Sequence, residues 1–344
     1  MSRAPAGPEG LAGDVDVSVI VATGREDGCR RLVEAVRHQF ADAGVSHEIV
    51  LVIDGCPRYH WLAEAGERAD GGDMNVLVLP RRVGIARARN TGIQAARGAL
   101  LAFLDDDCVP APTWLTDLVR MSRTYPDHVA FGGKVISSGP ANLYAQLRDT
   151  VYYYETFGSW YTDPDTSADV LGAPYVNGGN SAYRRQALID ADGFDQLLPA
   201  YSDVELGRRL NCRNRAVLSP GMAILHRHPA DFRQYLLRCW RSGRARAVLW
   251  ARRGYRQDRP SAVLARVAAN ICWNNSVHRC RRVTGSAARV IAVLTCQEAV
   301  HAFGYVYELI ANRPAGRTPA PPADRAAGSD VGDAPGAGVA ANSP

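Results

Sequence analysis

The sequence predicts an α/β fold in which helices cover both faces of a mostly parallel central sheet, with a helical extension at the C-terminal end. Two observations predict it. Short apolar runs of β type alternate with helically spaced apolar residues through the first half of the chain, and acidic residues stand directly after two of those runs. The chain has 344 residues, 47% of them hydrophobic, so it can bury the core of a globular domain.

The predicted elements follow one another in a β-α-β rhythm, which favours right-handed crossovers between parallel strands. The expected strands are VSVIVA (17–22), EIVLVI (48–53), VLVL (76–79) and ALLAFL (99–104). The expected helices lie around Leu32 to Phe40 and around Ile85 to Ala96. After about residue 135 the rhythm becomes irregular, and further helices are expected near the C-terminal end.

Composition divides the chain into four parts. Residues 1–15 and 314–344 are rich in Ala, Gly and Pro without apolar periodicity, and we expect them to be disordered tails. Residues 16–230 are expected to form the α/β domain, and residues 231–313 the helical extension.

Charge and cysteine content limit the partners and the compartment. The formal charge is only +5, and Lys134 is the only lysine, so the arginine bias does not indicate a nucleic-acid ligand and none is expected. The basic stretch Arg233 to Arg253 can face an anionic substrate, a phosphate or a membrane surface, or it can be a solvated helix face. Eight cysteines without a CxxC pair are interpreted as reduced core residues.

The N-terminal stretch lacks the apolar core of a signal peptide, which favours a cytoplasmic protein. The most apolar late segment, Val290 to Ile310, is interrupted by polar residues (Gln297, Glu298, His301 and Glu308) and falls short of an uninterrupted membrane span. We expect it to be a packed helix, with peripheral contact to the inner face of a membrane as a further option.

Carboxylates follow two of the predicted strands. Asp54 follows EIVLVI, and Asp105, Asp106 and Asp107 follow ALLAFL. Ligands bind beyond the carboxyl ends of strands in open sheets, and three adjacent carboxylates need a cation or a set of donors. In an extended chain Asp105 and Asp107 point to one side, which makes them the candidate ligands for Mg²⁺ or Mn²⁺, and Asp106 is expected to matter least. The alternative is a solvated acidic turn.

A second acidic cluster lies in YSDVELGRRL. Ser202 and Glu205 have the spacing of a capping box that opens a helix. That interpretation leaves Asp203 at the helix start, either as a general base or as a group that only favours the helix dipole.

Other segments offer candidate ligand contacts. PYVNGGNS carries Asn177, Asn180 and Ser181 beside two glycines, which is typical of a plain turn or of backbone amides near an oxygen-rich ligand. Arg87, Arg89 and Asn90 precede the acidic strand end. His226 and His228 lie on one side of a predicted strand, where His226 can complete a metal shell or be structural. The aromatic residues between 152 and 161 can line an acceptor groove or pack in a core.

Taken in order, six segments resemble a family 2 glycosyltransferase of the Rossmann-like GT-A fold, over roughly residues 15 to 230. They are VSVIVAT, EIVLVIDG, GIARARNTGIQAARGALLAFLDDD, NGGNSAYRR, GFD and SDVELGRRL. The resemblance implies a metal-binding DxD motif at Asp105 and Asp107, a contact to the nucleotide base by Asp54, and a base role for Asp203 with Glu205 in reserve. It also implies that His226 approaches the metal or the diphosphate. The contacts to the nucleotide sugar are then expected from Ala22, Thr23, Asp54, Arg89, Asn90, Asp105, Asp106, Gly179 and Asn180.

The sequence departs from the family pattern at Ile53 and Ser202, where acidic residues are common, so the identity of the base stays open. The resemblance implies an inverting, metal-assisted transfer from a nucleotide diphosphate sugar, with UDP first among the bases. The acceptor is a glycan, a lipid carrier or a specialised metabolite. The alternatives are a sugar-phosphate nucleotidyltransferase, whose lysine-containing N-terminal signature is missing, and a non-catalytic regulator that binds nucleotide sugars.

Overall fold

A computed structural model of the chain describes residues 15–24, 26–55, 74–138, 142–149, 155–157, 160, 166–227, 231–272 and 283–311. The chain divides into two compact units. The first contains residues 1–136, 167–196 and 206–226, and the second contains residues 137–166, 197–205 and 227–344. The boundaries at 16, 230 and 313 stay predictions. The two expected disordered tails lie outside the described residues, except for Val15, which is buried at the start of the first strand.

The described residues of the first unit contain one mixed sheet of nine strands, in the order β3-β2-β1-β4-β8-β6-β9-β5, with β7 paired to β9. The strands are β1 Val15–Thr23, β2 His47–Asp54, β3 Met74–Leu79, β4 Gly98–Asp105, β5 Cys108–Pro110, β6 Ala130–Ser138, β7 Val170–Leu171, β8 Asn180–Arg184 and β9 Ala216–Arg227.

The first half of this sheet confirms the predicted strands. β1 pairs in parallel with β2 and with β4, and β2 pairs in parallel with β3. β1, β2 and β4 are buried almost along their whole length, as expected of parallel strands covered by helices. Because Ala22 lies opposite Asp105 and Thr23 lies opposite Ile53, the carboxyl ends of these strands meet at one edge.

The second half is antiparallel. β8 pairs with β4 and β6, while β9 pairs with β5 and β7. A Cβ on Gly133 would lie 1.8 Å from the carbonyl oxygen of Met222, so only glycine lets β6 approach β9 this closely. This half brings His226 opposite Cys108, directly beyond the acidic turn.

Eleven α-helices lie in the described residues, together with a 3-10 helix at Arg256–Asp258. The helices are α1 Glu26–Ala43, α2 Ile85–Ala95, α3 Trp114–Thr124, α4 Leu143–Arg148, α5 Glu155–Phe157, α6 Arg185–Asp190, α7 Ser202–Arg209, α8 Cys212–Arg215, α9 Phe232–Arg253, α10 Pro260–Ile271 and α11 Ala287–Ala311. In the first unit α2 packs against β1 and β2, and α1 packs against α3 and β5.

Buried Glu48 joins the starts of the parallel strands. Its carboxylate accepts hydrogen bonds from Ser18 Oγ at 2.6 Å, from the backbone amide of Arg97 at 2.6 Å and from Arg97 Nε at 2.9 Å. Burial raises the pKa of Glu48, but these donors outweigh it, so the pKa lies below its ordinary value. The ionised carboxylate therefore stabilises the fold above the pKa of the unfolded chain, and this contribution is lost as the pH falls through the folded value.

The second unit contains the helical extension. In α9 the side chain of Asp231 caps the amide of Gln234 at 2.8 Å, and the helix ends at Gly254, which has φ of 66°. α11 packs along α9 and against α10. Two apolar clusters hold the unit, one formed by Leu147, Tyr235, Val283, Val290, Val293 and Leu294, the other by Ala247, Val263 and Tyr305.

Several sequence predictions change here. Cys29, Cys108 and Cys212 are buried as expected, but Cys272 and Cys296 are exposed, so the core interpretation is wrong for those two. Phe157 and Trp160 are buried, which favours core packing, whereas Tyr152, Tyr153, Tyr154 and Tyr161 lie outside the described residues. Among the described residues, Ala287–Ala311 is the one helix long and apolar enough to cross a membrane by length and composition, a test that we did not expect it to pass.

Candidate active site

Asp54 ends β2, and its carboxylate holds the loop that precedes α2. One oxygen accepts the amide of Val83 at 2.6 Å, and the other accepts the amide of Gly84 at 2.9 Å. A carboxylate offers about four acceptor positions, so the two amides leave room for a further donor. The structure therefore gives Asp54 a structural contact, and its contact to a nucleotide base stays a prediction.

The acidic turn corrects the argument from strand alternation. The last residue of β4 is Asp105. A turn follows at Asp106 and Asp107, and β5 begins at Cys108. Because the chain turns after Asp105, Asp105 and Asp107 are not alternate residues of one strand. They have different partners.

Asp105 pairs with Arg89. Arg89 Nη2 donates to Asp105 Oδ1 at 2.7 Å, and the guanidinium lies 5.4 Å from the centre of the Phe194 ring. A Cβ on Gly179 would lie 2.5 Å from Asp105 Oδ2, so the glycine lets the loop before β8 pass directly over this carboxylate. Arg89 is thus buried against the acidic turn, while Asp105 retains a partly exposed carboxylate.

Asp106 is more buried than expected. Thr23 Oγ1, itself buried, donates to Asp106 Oδ2 at 2.7 Å and joins the end of β1 to the turn. Asp106 thus has a structural contact, because its removal would leave a buried hydroxyl without this acceptor, and the expectation that it matters least at the site stays a prediction.

Asp107 lies beside His226. Asp107 Oδ1 is 3.2 Å from His226 Nε2, and these two residues with Cys108 form a group whose possible ligand atoms all lie within 4.8 Å of one another. Burial and the carboxylates of Asp105 and Asp107 raise the pKa of Cys108 well above its ordinary value, so its thiol is neutral. Oxygen and imidazole donors fit a hard or borderline divalent cation. The site can therefore hold such a cation through Asp107 and His226.

The two asparagines that we expected to bind the donor make structural hydrogen bonds. Asn180 is fully buried, and its side chain accepts from Trp114 Nε1 and donates to the carbonyls of Lys134 and Met222. Its side-chain hydrogen bonds are therefore directed into the protein, and the contact of Asn180 to a nucleotide sugar stays a prediction. The Asn90 side chain bonds both the amide and the carbonyl of Phe194, at 2.9 and 2.8 Å, and so holds the GFD turn.

The remaining predicted contacts lie at the same edge of the sheet. Ala22 is buried opposite Asp105, and the side chain of Thr23 is bonded inward to Asp106. The turn reading of PYVNGGNS is confirmed, since Asn177 Oδ1 accepts the amide of Gly179 at 3.0 Å. His228 lies outside the described residues.

The second acidic cluster lies in the other unit and also differs from its prediction. The amide of Glu205 bonds the carbonyl of Tyr201 at 2.9 Å, so Tyr201, with φ of 62°, precedes α7 and Ser202 is its first helical residue. The capping box is therefore wrong. Glu205 is fully buried and lies 3.2 Å from Arg253 Nε, whereas Asp203 is less buried and accepts the amide of Val204 at 2.9 Å.

From the sequence, we did not predict Cys108 as a site residue, and we predicted Gly179 as a contact to the nucleotide sugar but not as a neighbour of the acidic turn. Gly179 and Cys108 contact it, and Cys108 Sγ lies 3.8 Å from the Gly179 carbonyl oxygen. One signal was available for Cys108, since it directly follows the third aspartate. No local signal marks Gly179 as a neighbour of Asp105, because the contact depends on β8 pairing with β4.

These features define an α/β protein with a carboxylate and histidine site at the carboxyl ends of its parallel strands. The sequence model of glycosyl transferase family 2 matches residues 18–191, just over half of the chain. The chain belongs to glycosyl transferase family 2, which confirms the resemblance in its motifs.

Similar proteins carry related names. The chain is 28% identical over 187 residues to a glucosyl-dolichyl phosphate glucuronosyltransferase of Haloferax volcanii, covering 52% of this chain and 56% of the relative. It is 28% identical over 244 residues to a pre-mycofactocin glycosyltransferase of Mycobacterium tuberculosis, covering 69% of this chain and 47% of the relative. The chain thus spans about half the length of these relatives.

Among solved structures, a mannosyltransferase from Pyrobaculum calidifontis in complex with GDP-Man and Mn²⁺ aligns with a TM-score of 0.49 and 17% identity. The alignment covers 90% of this chain and 78% of that chain.

Proposed function

We propose that this protein transfers a sugar from a nucleotide diphosphate donor to an acceptor nucleophile, with a divalent cation at Asp107 and His226. The observation that carries the proposal is the 3.2 Å approach of Asp107 Oδ1 to His226 Nε2 at the carboxyl ends of β1, β2 and β4. Membership of glycosyl transferase family 2 and the names of the relatives support the same chemistry.

Asp107 and His226 would hold the cation, which would stabilise the negative charge of the departing diphosphate. Asp105 would join them through Oδ2, since its Oδ1 already accepts the Arg89 guanidinium. We therefore rank Asp107 before Asp105 as a ligand. Mg²⁺ and Mn²⁺ both fit carboxylate oxygen, and the imidazole of His226 favours Mn²⁺.

Asp203 is the proposed general base. Glu205 is no longer proposed as a reserve base and is assigned a structural role. A base must reach the proton of the acceptor nucleophile, and Glu205 is fully buried beside Arg253. In an inverting single displacement, Asp203 would take that proton as the nucleophile attacks the anomeric carbon. UDP is the proposed nucleotide, with Asp54 next to its base.

The names of the relatives suggest the chemical class of the acceptor. One relative is named for a dolichyl phosphate-linked sugar and another for a pre-mycofactocin substrate, so a lipid carrier and a specialised metabolite are both candidates beside a glycan. The family match argues against a sugar-phosphate nucleotidyltransferase.

Isothermal titration of UDP, dTDP and GDP sugars with Mn²⁺ or Mg²⁺ tests the donor and the cation together. We expect one donor series to bind in the presence of the cation and to lose measurable affinity in Asp107→Ala. Asp127→Ala is the matched control, because Asp127 is an exposed aspartate of the same unit outside the acidic turn.

Unchanged donor binding in Asp107→Ala would reject this residue as a ligand. If a donor binds to the wild type but neither transfer nor hydrolysis follows with any acceptor class, the protein is a nucleotide-sugar-binding regulator instead.

A further inference from the structure

Helix α11 buries three polar side chains together with the apolar side chains of Val290, Val293, Leu294 and Tyr305, and it leaves other apolar side chains exposed. Gln297, Glu298 and Glu308 are buried. One exposed stripe of the helix consists of residues three or four positions apart, namely Ala292, Thr295, Ala299, Phe303, Val306 and Ile310. A surface helix of a soluble domain typically has polar side chains on its outer face instead.

This orientation is fixed by paired polar groups. Arg244 Nε lies 2.5 Å from Glu308 Oε2, and Glu298 Oε1 accepts from Asn270 Nδ2 at 3.2 Å. A rotation of the helix that buried Phe303 and Ile310 would separate these pairs. It would therefore leave buried charged groups without their partners, which is strongly destabilising. A transbilayer position for the helix alone would break the same pairs, so the stripe stays on the outside of the described residues of the unit.

The stripe contains no charge and no unsatisfied polar side chain. Its one polar member, Thr295, donates its hydroxyl to the carbonyl of Ile291 at 2.9 Å, within the helix. Phe303 is 65% exposed and Ile310 is 64% exposed, although both are large apolar side chains. The neighbouring helix α10 adds exposed Leu264 and Ile271. So much exposed apolar surface in one unit indicates an interaction site.

Exposed arginines accompany the C-terminal half of this helix. Arg252 and Arg253 end α9, and Arg256 and Arg259 flank the 3-10 helix. Tyr305 ties this region to α11, since its hydroxyl donates to the carbonyl of Asp258 at 2.7 Å.

Within described residues 252–272 and 283–311, every acidic side chain is buried: Asp258, Glu298 and Glu308. The exposed charged side chains of these two segments are therefore all positive.

We infer that the outer stripe of α11 and the exposed arginines Arg252, Arg256 and Arg259 dock this protein on an anionic lipid surface, with α11 lying in the plane of the interface. Apolar side chains would enter the headgroup boundary while the arginines meet lipid phosphates or carboxylates. A second copy is a poorer occupant, because a two-fold interface on this patch would bring both sets of arginines together. The inference is separate from the proposed sugar transfer.

Flotation with vesicles of phosphatidylcholine, alone or mixed with phosphatidylserine, tests this inference. We expect the full-length protein to float with the mixed vesicles and to be released by high salt. Phe303→Ser combined with Ile310→Ser should weaken binding by at least about tenfold, and Arg256→Gln combined with Arg259→Gln by about thirtyfold. Val78→Ser is the matched control, because Val78 is 63% exposed but lies on β3 in the first unit.

Thermal melting and donor titration should be unchanged in all these variants, which separates lipid docking from folding and from the proposed donor site. Equal binding by the wild type and the Phe303 and Ile310 double variant would overturn the inference. So would absence of flotation together with a concentration-dependent dimer that this variant abolishes, which would assign the face to a second copy. Flotation that requires removal of residues 312–344 would assign the face to that segment.

Discussion

The two acidic clusters of this chain, FLDDDC and YSDVELGRRL, place their carboxylates in different environments. At the sheet edge, buried Asp106 accepts a hydrogen bond from Thr23, and Asp105 pairs with Arg89. Asp107 lies next to His226. At the start of α7, Glu205 is buried with Arg253 and Asp203 is only partly buried. In each cluster, one carboxylate is buried against a distant donor and another is less buried.

This difference shows that spacing alone does not assign roles to adjacent acids. A carboxylate becomes structural where the fold supplies donors and removes water, since an unpaired buried charge is costly. The donors come from distant positions: Thr23 for Asp106 and Arg253 for Glu205. The comparison therefore makes opposite predictions for the two members of each cluster.

The largest expected effect separates Asp203 from Glu205 by activity. Removal of a positioned base typically lowers turnover by about 10² to 10⁴-fold, so Asp203→Asn should lose that much transfer while it keeps donor affinity. Initial rates at saturating donor and calorimetric titration of the donor measure the two quantities. Glu205→Gln, compared under the same conditions, should retain more turnover than Asp203→Asn. Wild-type turnover in Asp203→Asn would remove its role as base.

The next effect separates the same pair by stability. Glu205→Gln replaces a fully buried carboxylate beside Arg253, and we expect a loss of about 2 kcal/mol in the free energy of unfolding. Asp203→Asn removes only a charge near a helix N-terminus, and about 1 kcal/mol or less is expected. Urea unfolding followed by circular dichroism gives both values. A more destabilising Asp203→Asn would reverse the structural assignment.

The parallel half of the fold could be predicted because its signal is local. The runs at 17–22, 48–53, 76–79 and 99–104 each became a strand, and the helix expected around Ile85 to Ala96 spans Ile85–Ala95. Continuous apolar runs separated by helical spacing are typical of buried parallel strands. The antiparallel half depends on pairings between distant segments, such as β8 with β4, and these leave no periodic pattern of their own.

The site was predictable in its location but less so in its partners. Asp105, Asp107 and His226 do lie near one edge of the sheet, since β5 follows the acidic turn and pairs with β9. The sequence could not reveal that Asn180 is enclosed by Trp114 and two backbone carbonyls, or that Asn90 holds Phe194. A polar residue in a motif can satisfy the backbone as readily as a ligand, and only the tertiary contacts distinguish these uses.

The smallest effect tests the division inside the first cluster. If the hydrogen bond from Thr23 to Asp106 stabilises the fold, Asp106→Asn and Thr23→Val should each lower the free energy of unfolding. A double-mutant cycle of the two should give a coupling energy of about 1 kcal/mol. Asp107→Asn should leave the unfolding free energy in metal-free buffer within about 0.5 kcal/mol of the wild type, because Asp107 is partly exposed.

Added Mn²⁺ should then raise the melting temperature of Asp106→Asn but not of Asp107→Asn, since only a ligand that binds the folded state stabilises it. If Mn²⁺ instead stabilised Asp107→Asn and failed to stabilise Asp106→Asn, the structural and binding roles in this turn would be exchanged. Burial would then identify the functional carboxylate at the start of α7 but not in the turn at the sheet edge, and the comparison of the two clusters would fail.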